Sequence, residues 1–142
     1  MPEHGNNLPH IIATLRARIN SLITGRLSQA SYPDLAPSHG AILNVLYEKG
    51  GISLQEISDK IQRDKSTVTV LVRRLEKLGY VARSRDAKDG RSFNIQLTIK
   101  GIMFREVFER IFRELMDMMW QGTVQDEREY LCEQLMRISR RL

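Results

Sequence analysis

Leu8, Ile11, Ile12, Leu15, Ile19, Leu22, Ile23 and Leu27 recur at steps of three and four, with polar residues between them. That spacing predicts one apolar stripe along a long helix. Pro33 and Pro37 bracket a loop, and Pro37 suits the first turn of a second helix that turns Ile42, Leu43 and Leu46 inward before Gly50-Gly51. Ser53-Leu54-Gln55-Glu56 reads as a capping box opening a short helix, with Ile57 and Ile61 on its inner side. Asp64 is then the N-cap of a helix from Lys65 to about Leu78, stopped by Gly79. Tyr80 to Ser84 and Ser92 to Leu97 are predicted to pair as a hairpin around the turn dipeptide Asp89-Gly90. Thr98 caps a fifth helix reaching about Gln121, with a stripe of Phe104, Phe108, Ile111, Phe112, Leu115 and Met119. A last helix carries Leu131, Leu135, Ile138 and Leu142.

The expected fold is mainly α with a small β-hairpin wing: a winged helix-turn-helix whose N- and C-terminal helices form a dimerisation region. Its parts are an N-terminal dimerisation helix (1–34), a DNA-binding winged helix-turn-helix (35–100) and C-terminal dimerisation helices (101–142). The first and fifth helices would each run about 30 Å at 1.5 Å per residue, longer than the compact centre can cover. Their outer apolar stripes are expected to be buried in a twofold homodimer, the alternative being a monomer with a folded-back helical hairpin.

Charge sharpens the functional reading. The 142-residue chain has a net charge of +5 and a pI near 9.7, and residues 60 to 91 alone carry +6. The basicity therefore belongs to one segment, as a footprint for phosphates requires. On the predicted fourth helix Val68, Leu71, Val72, Leu75 and Leu78 share an inner face. Lys65, Ser66, Thr67, Thr69, Val70, Arg73 and Arg74 are left to meet double-stranded DNA. Short hydroxyls reach phosphates or base edges, arginine binds guanine through two parallel hydrogen bonds, and Val70 suits a thymine methyl. Lys88 and Arg91 on the hairpin tip are the candidates for the minor groove, with Asp86 and Asp89 expected to pair with Arg83, Arg85 or Arg91.

Three stretches carry a family likeness: Ser53-Leu54-Gln55-Glu56-Ile57, Asp64-Lys65-Ser66-Thr67-Val68-Thr69, and Arg74-Leu75-Glu76-Lys77-Leu78-Gly79-Tyr80-Val81. With Asp86 to Arg91 and Leu97-Thr98-Ile99-Lys100-Gly101, which resembles a D-x-R-D-x-R wing followed by L-T-x-x-G, the chain resembles the MarR family of bacterial regulators. The resemblance implies a homodimer on a pseudo-palindromic operator, usually a repressor and often released by a small molecule. Lys88 stands where the family usually has arginine, Val70 where arginine is common, and Gln62-Arg63 where the turn usually has glycine and an apolar residue.

By the same resemblance, a hydrophobic or aromatic effector would sit between the dimer helices and the DNA-binding lobe. Arg16, Tyr32 and His39 are its possible polar contacts, and Met116, Met118, Met119 and Trp120 either line it or pack in the core. The one cysteine, Cys132, excludes an intramolecular disulfide and is expected to be a buried structural residue of a cytoplasmic protein. His4, His10 and His39 lack metal-ligand spacing, so no metal or cofactor is expected. No apolar run suits a membrane. Catalytic motifs such as G-x-S-x-G and H-E-x-x-H are missing, and an enzyme is not expected. The remaining rival is a winged-helix protein-interaction module without DNA binding.

Overall fold

A computed structural model of the chain describes residues 7–85 and 93–142. The described residues form α1 (Leu8–Gln29), α2 (Pro37–Glu48), β1 (Ile52–Ser53), α3 (Leu54–Ile61), α4 (Lys65–Leu78), β2 (Val81–Arg85), β3 (Phe93–Leu97), α5 (Ile99–Met119) and α6 (Gln125–Arg141). This is the mainly helical winged helix-turn-helix with its antiparallel hairpin and flanking helices. One addition is β1, which lays Ile52 opposite Ile95 and makes the hairpin a three-stranded sheet in the order β1-β3-β2. Two residues are too short for any periodicity to announce.

The core is built where the inner faces of α2, α3, α4 and the sheet converge. Ile42, Leu43, Ile57, Val68, Val72, Leu75 and Ile95 are wholly excluded from solvent, and Phe104 of α5 closes the cluster. Leu71 and Leu78, read as inward, are half-buried at its edge. The caps follow from the sequence. Ser53 Oγ accepts the Glu56 N–H at 3.1 Å to start α3, and Gly79 takes φ +87° to stop α4.

Gln62, in the turn between α3 and α4, adopts φ +54°, ψ +47°, the left-handed region that glycine occupies at no steric cost. A glutamine where the resemblance implies glycine is thus absorbed as backbone strain, while the Arg63 N–H still bonds the Ser58 carbonyl at 3.1 Å. Gln62→Gly is expected to stabilise the fold by up to about 1 kcal/mol, read as a higher urea midpoint at unchanged slope. A lower midpoint would show that the glutamine side chain contributes more than its backbone strain costs.

The outer helices are different. Only Leu27 of α1 is buried, and α6 has no buried residue. Ile11, Ile12 and Leu15 on α1, and Tyr130, Leu131 and Met136 on α6, lie exposed along the chain. Cys132 is exposed too in the single chain, which corrects its reading as a structural residue buried by that chain: α6 docks on no neighbour among the described residues that would cover it.

Candidate nucleic-acid interface

The first turn of α4 is organised by Asp64. Its Oδ2 accepts the Thr67 N–H at 3.0 Å, its Oδ1 accepts the Thr67 hydroxyl at 2.7 Å, and the Ser66 hydroxyl donates to Oδ2. These donors, Ser66 first and Thr67 after it, hold the Asp64 carboxyl at about 2, below its ordinary 3.8. One turn on, the Thr69 hydroxyl donates to the Lys65 carbonyl at 2.7 Å. Val68, Val72 and Leu75 anchor the helix in the core while its other side stays open: Lys65, Ser66, Arg73 and Arg74 are exposed, and Thr67 and Thr69 are partly so. Val70 is 65% exposed, an apolar patch in the middle of a polar and cationic face.

The far end of α4 is held by the start of α5. The Thr98 hydroxyl donates to the Gly79 carbonyl at 2.5 Å, and Lys100 Nζ donates to the Leu78 carbonyl at 2.7 Å. Leu78 ends the last turn of α4 and Gly79 is its left-handed cap, and carbonyls there lack intrahelical partners and attract cations. Lys100 also stands 4.6 Å over the Tyr80 ring. Gly101 lies so close to the Tyr80 carbonyl that a Cβ there would overlap its oxygen. The Leu-Thr-x-x-Gly segment is therefore a joint that sets α4 against α5.

The base of the wing is braced by Arg83, whose Nε lies 2.7 Å from Glu76 Oε1 on α4. Arg83 thus joins β2 to α4. The pairing expected of Asp86 and Asp89 with Arg83, Arg85 or Arg91 falls on residues outside those described. Asp86, Lys88, Asp89 and Arg91 lie outside the described residues.

Between α1, α2 and α5 is an apolar cavity of about 300 Å³, walled by Ile19 and Ile23 of α1, His39 and Leu43 of α2, and Phe104 and Phe108 of α5. Of the three ligand candidates only His39 lines it. Tyr32 meets Phe104 edge-on with ring centroids 4.8 Å apart, and Arg16 is exposed on α1. Met116, Met118, Met119 and Trp120 lie beyond this cavity; Met118 borders a polar recess with Arg26 and Glu114, while Trp120 lies under Arg128. The aromatic lining came from the α5 stripe, whose period showed an inner face without showing a void behind it.

His39 Nδ1 accepts the Ala36 N–H at 2.9 Å, so the neutral ring caps α2. Burial pushes its pKa below 6.5, and the Arg74 charge adds to this. The unfolded chain then takes up the proton first. His39's stabilisation is complete above about pH 6.5 and declines as pH falls. We expect the urea midpoint to drop between pH 7.5 and 5.5, with a slope no steeper than about 1.4 kcal/mol per pH unit. The His39→Gln variant should be flatter, and equal slopes would remove His39 from the account.

Residues 35–93 match the MarR family. MhqR of Bacillus subtilis is 30% identical over 104 residues, covering 72% of this chain and 70% of its own. The chain belongs to the MarR family. That is a family of transcriptional regulators rather than enzymes. TtmR of Methylorubrum extorquens is 45% identical over 60 residues, a stretch that is 42% of this chain and 31% of TtmR, so it spans about a third of that relative's length. Among solved structures, the Staphylococcus aureus MepR–DNA complex superposes with a TM-score of 0.85 at 27% identity, over 94% of this chain and 97% of that one. The segment that fastens α4 to α5, Leu97 to Gly101, lies just beyond the residues matched to the family.

Proposed function

We propose that the chain is a sequence-specific regulator that binds a pseudo-palindromic operator as a homodimer, acts as a repressor, and is released by a small apolar or aromatic ligand. The observation that carries this is the outer face of α4, where Ser66, Thr67, Thr69, Val70, Arg73 and Arg74 stand open to solvent on a helix fastened at both ends. A rigid helix of that width fits the major groove, and its charge supplies the phosphate term of affinity. MepR, at 27% identity over nearly the whole chain, is itself described in a complex with DNA. Lys88 and Arg91, outside the described residues, add to the positive charge of the same stretch of sequence.

The dimer reading draws on the uncovered apolar residues of α1 and α6, which have no partner within the described chain. The helices carrying them are assigned to dimerisation, and residues 35–100 to the operator. A sedimentation mass of one chain at micromolar concentration would overturn the dimer. The effector reading draws on the cavity between α1, α2 and α5. A ligand filling it separates α5 from α2, and the Thr98 and Lys100 contacts carry that displacement to α4. Release requires the ligand to bind the displaced arrangement more tightly than the DNA-bound one.

Selection of bound sequences from a random DNA pool tests the whole reading. Two inverted half-sites about one helical turn, or roughly 10 base pairs, apart are expected. Recovery of no common sequence would favour the protein-interaction alternative. That alternative fits this face poorly, because Val70 is its one large exposed apolar side chain.

A further inference from the structure

We propose that Ser66, Thr67 and Thr69 meet DNA as hydrogen-bond acceptors only, and so read the exocyclic amino groups of adenine or cytosine rather than phosphates, guanine or thymine. The inference rests on α4 being the helix that enters the major groove. A hydroxyl has one hydrogen to donate and two lone pairs to accept with. On this helix all three hydrogens are already placed within the protein: Ser66 on Asp64 Oδ2, Thr67 on Asp64 Oδ1 at 2.7 Å, and Thr69 on the Lys65 carbonyl at 2.7 Å. A carboxylate and a carbonyl carry no hydrogen, so the direction of each bond is settled. What the oxygens can still offer a partner is a lone pair.

Phosphate oxygens are themselves acceptors and gain nothing from such a surface. The Asp64 charge, at the same helix end, repels them further. In the major groove guanine presents N7 and O6, and thymine presents O4, all acceptors. Adenine N6 and cytosine N4 are the donors. The acceptor end of the face therefore selects the amino-bearing base of a pair. Arg73 and Arg74, which only donate, take guanine or phosphate at the other end. Ser66 and Arg74 are eight residues apart, about 12 Å along the helix axis, so the two chemistries address different base pairs of one half-site.

The test uses the full chain and a half-site obtained by selection. Adenines and cytosines are replaced singly by purine and 2-pyrimidinone, which lack the amino group. Purines are replaced separately by 7-deaza analogues, which lack the N7 acceptor. For the wild type, removing one amino group per half-site should weaken binding by roughly 5- to 100-fold. Ser66→Ala, Thr67→Val or Thr69→Val should be indifferent to the same change. Losses from 7-deaza purines should couple to Arg73→Ala or Arg74→Ala instead. Asp64→Ala, which releases the Ser66 and Thr67 hydrogens, should relax the preference at their positions and leave that of Thr69 intact. Coupling of the hydroxyl variants to 7-deaza purines, or a loss uniform over all bases, would overturn the proposal. A chain that selects no sequence would overturn the DNA-binding reading itself, a different failure.

Discussion

Replacing Arg73, Arg74 and Lys88 together by alanine is expected to lower operator affinity at least about 1,000-fold in moderate salt, and to flatten its dependence on salt. Each arginine that meets a base edge contributes about 1–3 kcal/mol, and each phosphate left without its cation reduces the log–log salt slope by about 0.9. A symmetric dimer carries every substitution twice, so the effects compound quickly. Both arginines stand exposed on α4 while the same helix is anchored through Val68, Val72 and Leu75, so the triple variant should keep its thermal midpoint within a few degrees. Titration of a fluorescent operator at three or four salt concentrations, alongside thermal unfolding, separates a weakened interface from a damaged fold. Unchanged affinity in a folded variant would remove the recognition face from the account.

Among the described glycines, Gly101→Ala should be the most damaging. A Cβ at that position overlaps the Tyr80 carbonyl oxygen and stands 3.1 Å from Leu97 Cδ2. Neither neighbour yields easily: Tyr80 is buried, its carbonyl accepts the Thr98 N–H at 3.1 Å, and Leu97 is paired with Val81 across the sheet. Overpacking of this kind costs about 1–3 kcal/mol or more, which lowers the thermal midpoint by up to roughly 10 °C. The joint relays the position of α5 to α4, so operator affinity should fall even where the variant stays folded. Gly25→Ala is the contrast. With open space around it in mid-helix, it should be neutral or stabilising by about 0.5–1 kcal/mol. Equal midpoints for the two variants would show that the close approach at Gly101 relaxes without cost.

Much of the candidate interface was legible because its determinants are local. Asp64 before Lys65 and Gly79 after Leu78 name the ends of α4, and the structure ends the helix at those residues. The period of Val68, Val72 and Leu75 told inside from outside, since a helix fixes which residues share a face whatever it packs against. Arg83 was harder. Glu76 was not among the partners the sequence offered it, because only the pairing of β2 with β3 beside α4 brings that acid within reach. The ligand candidates divided for a similar reason: His39 lines the cavity, while Arg16 on the exposed side of α1 does not, and which side is exposed depends on what lies against it.

The order of the helices and the hairpin, the caps of α3 and α4, and which face of α4 turns outward were determined by the sequence alone. Each is set by residues within one or two helical turns of one another, where chain geometry leaves few choices. The cavity between α1, α2 and α5, the clamp of Thr98 and Lys100 on the end of α4, the close approach at Gly101 and the exposure of Cys132 were decided by tertiary structure. These depend on distances between segments far apart in the chain, and no local period encodes how closely two such segments approach.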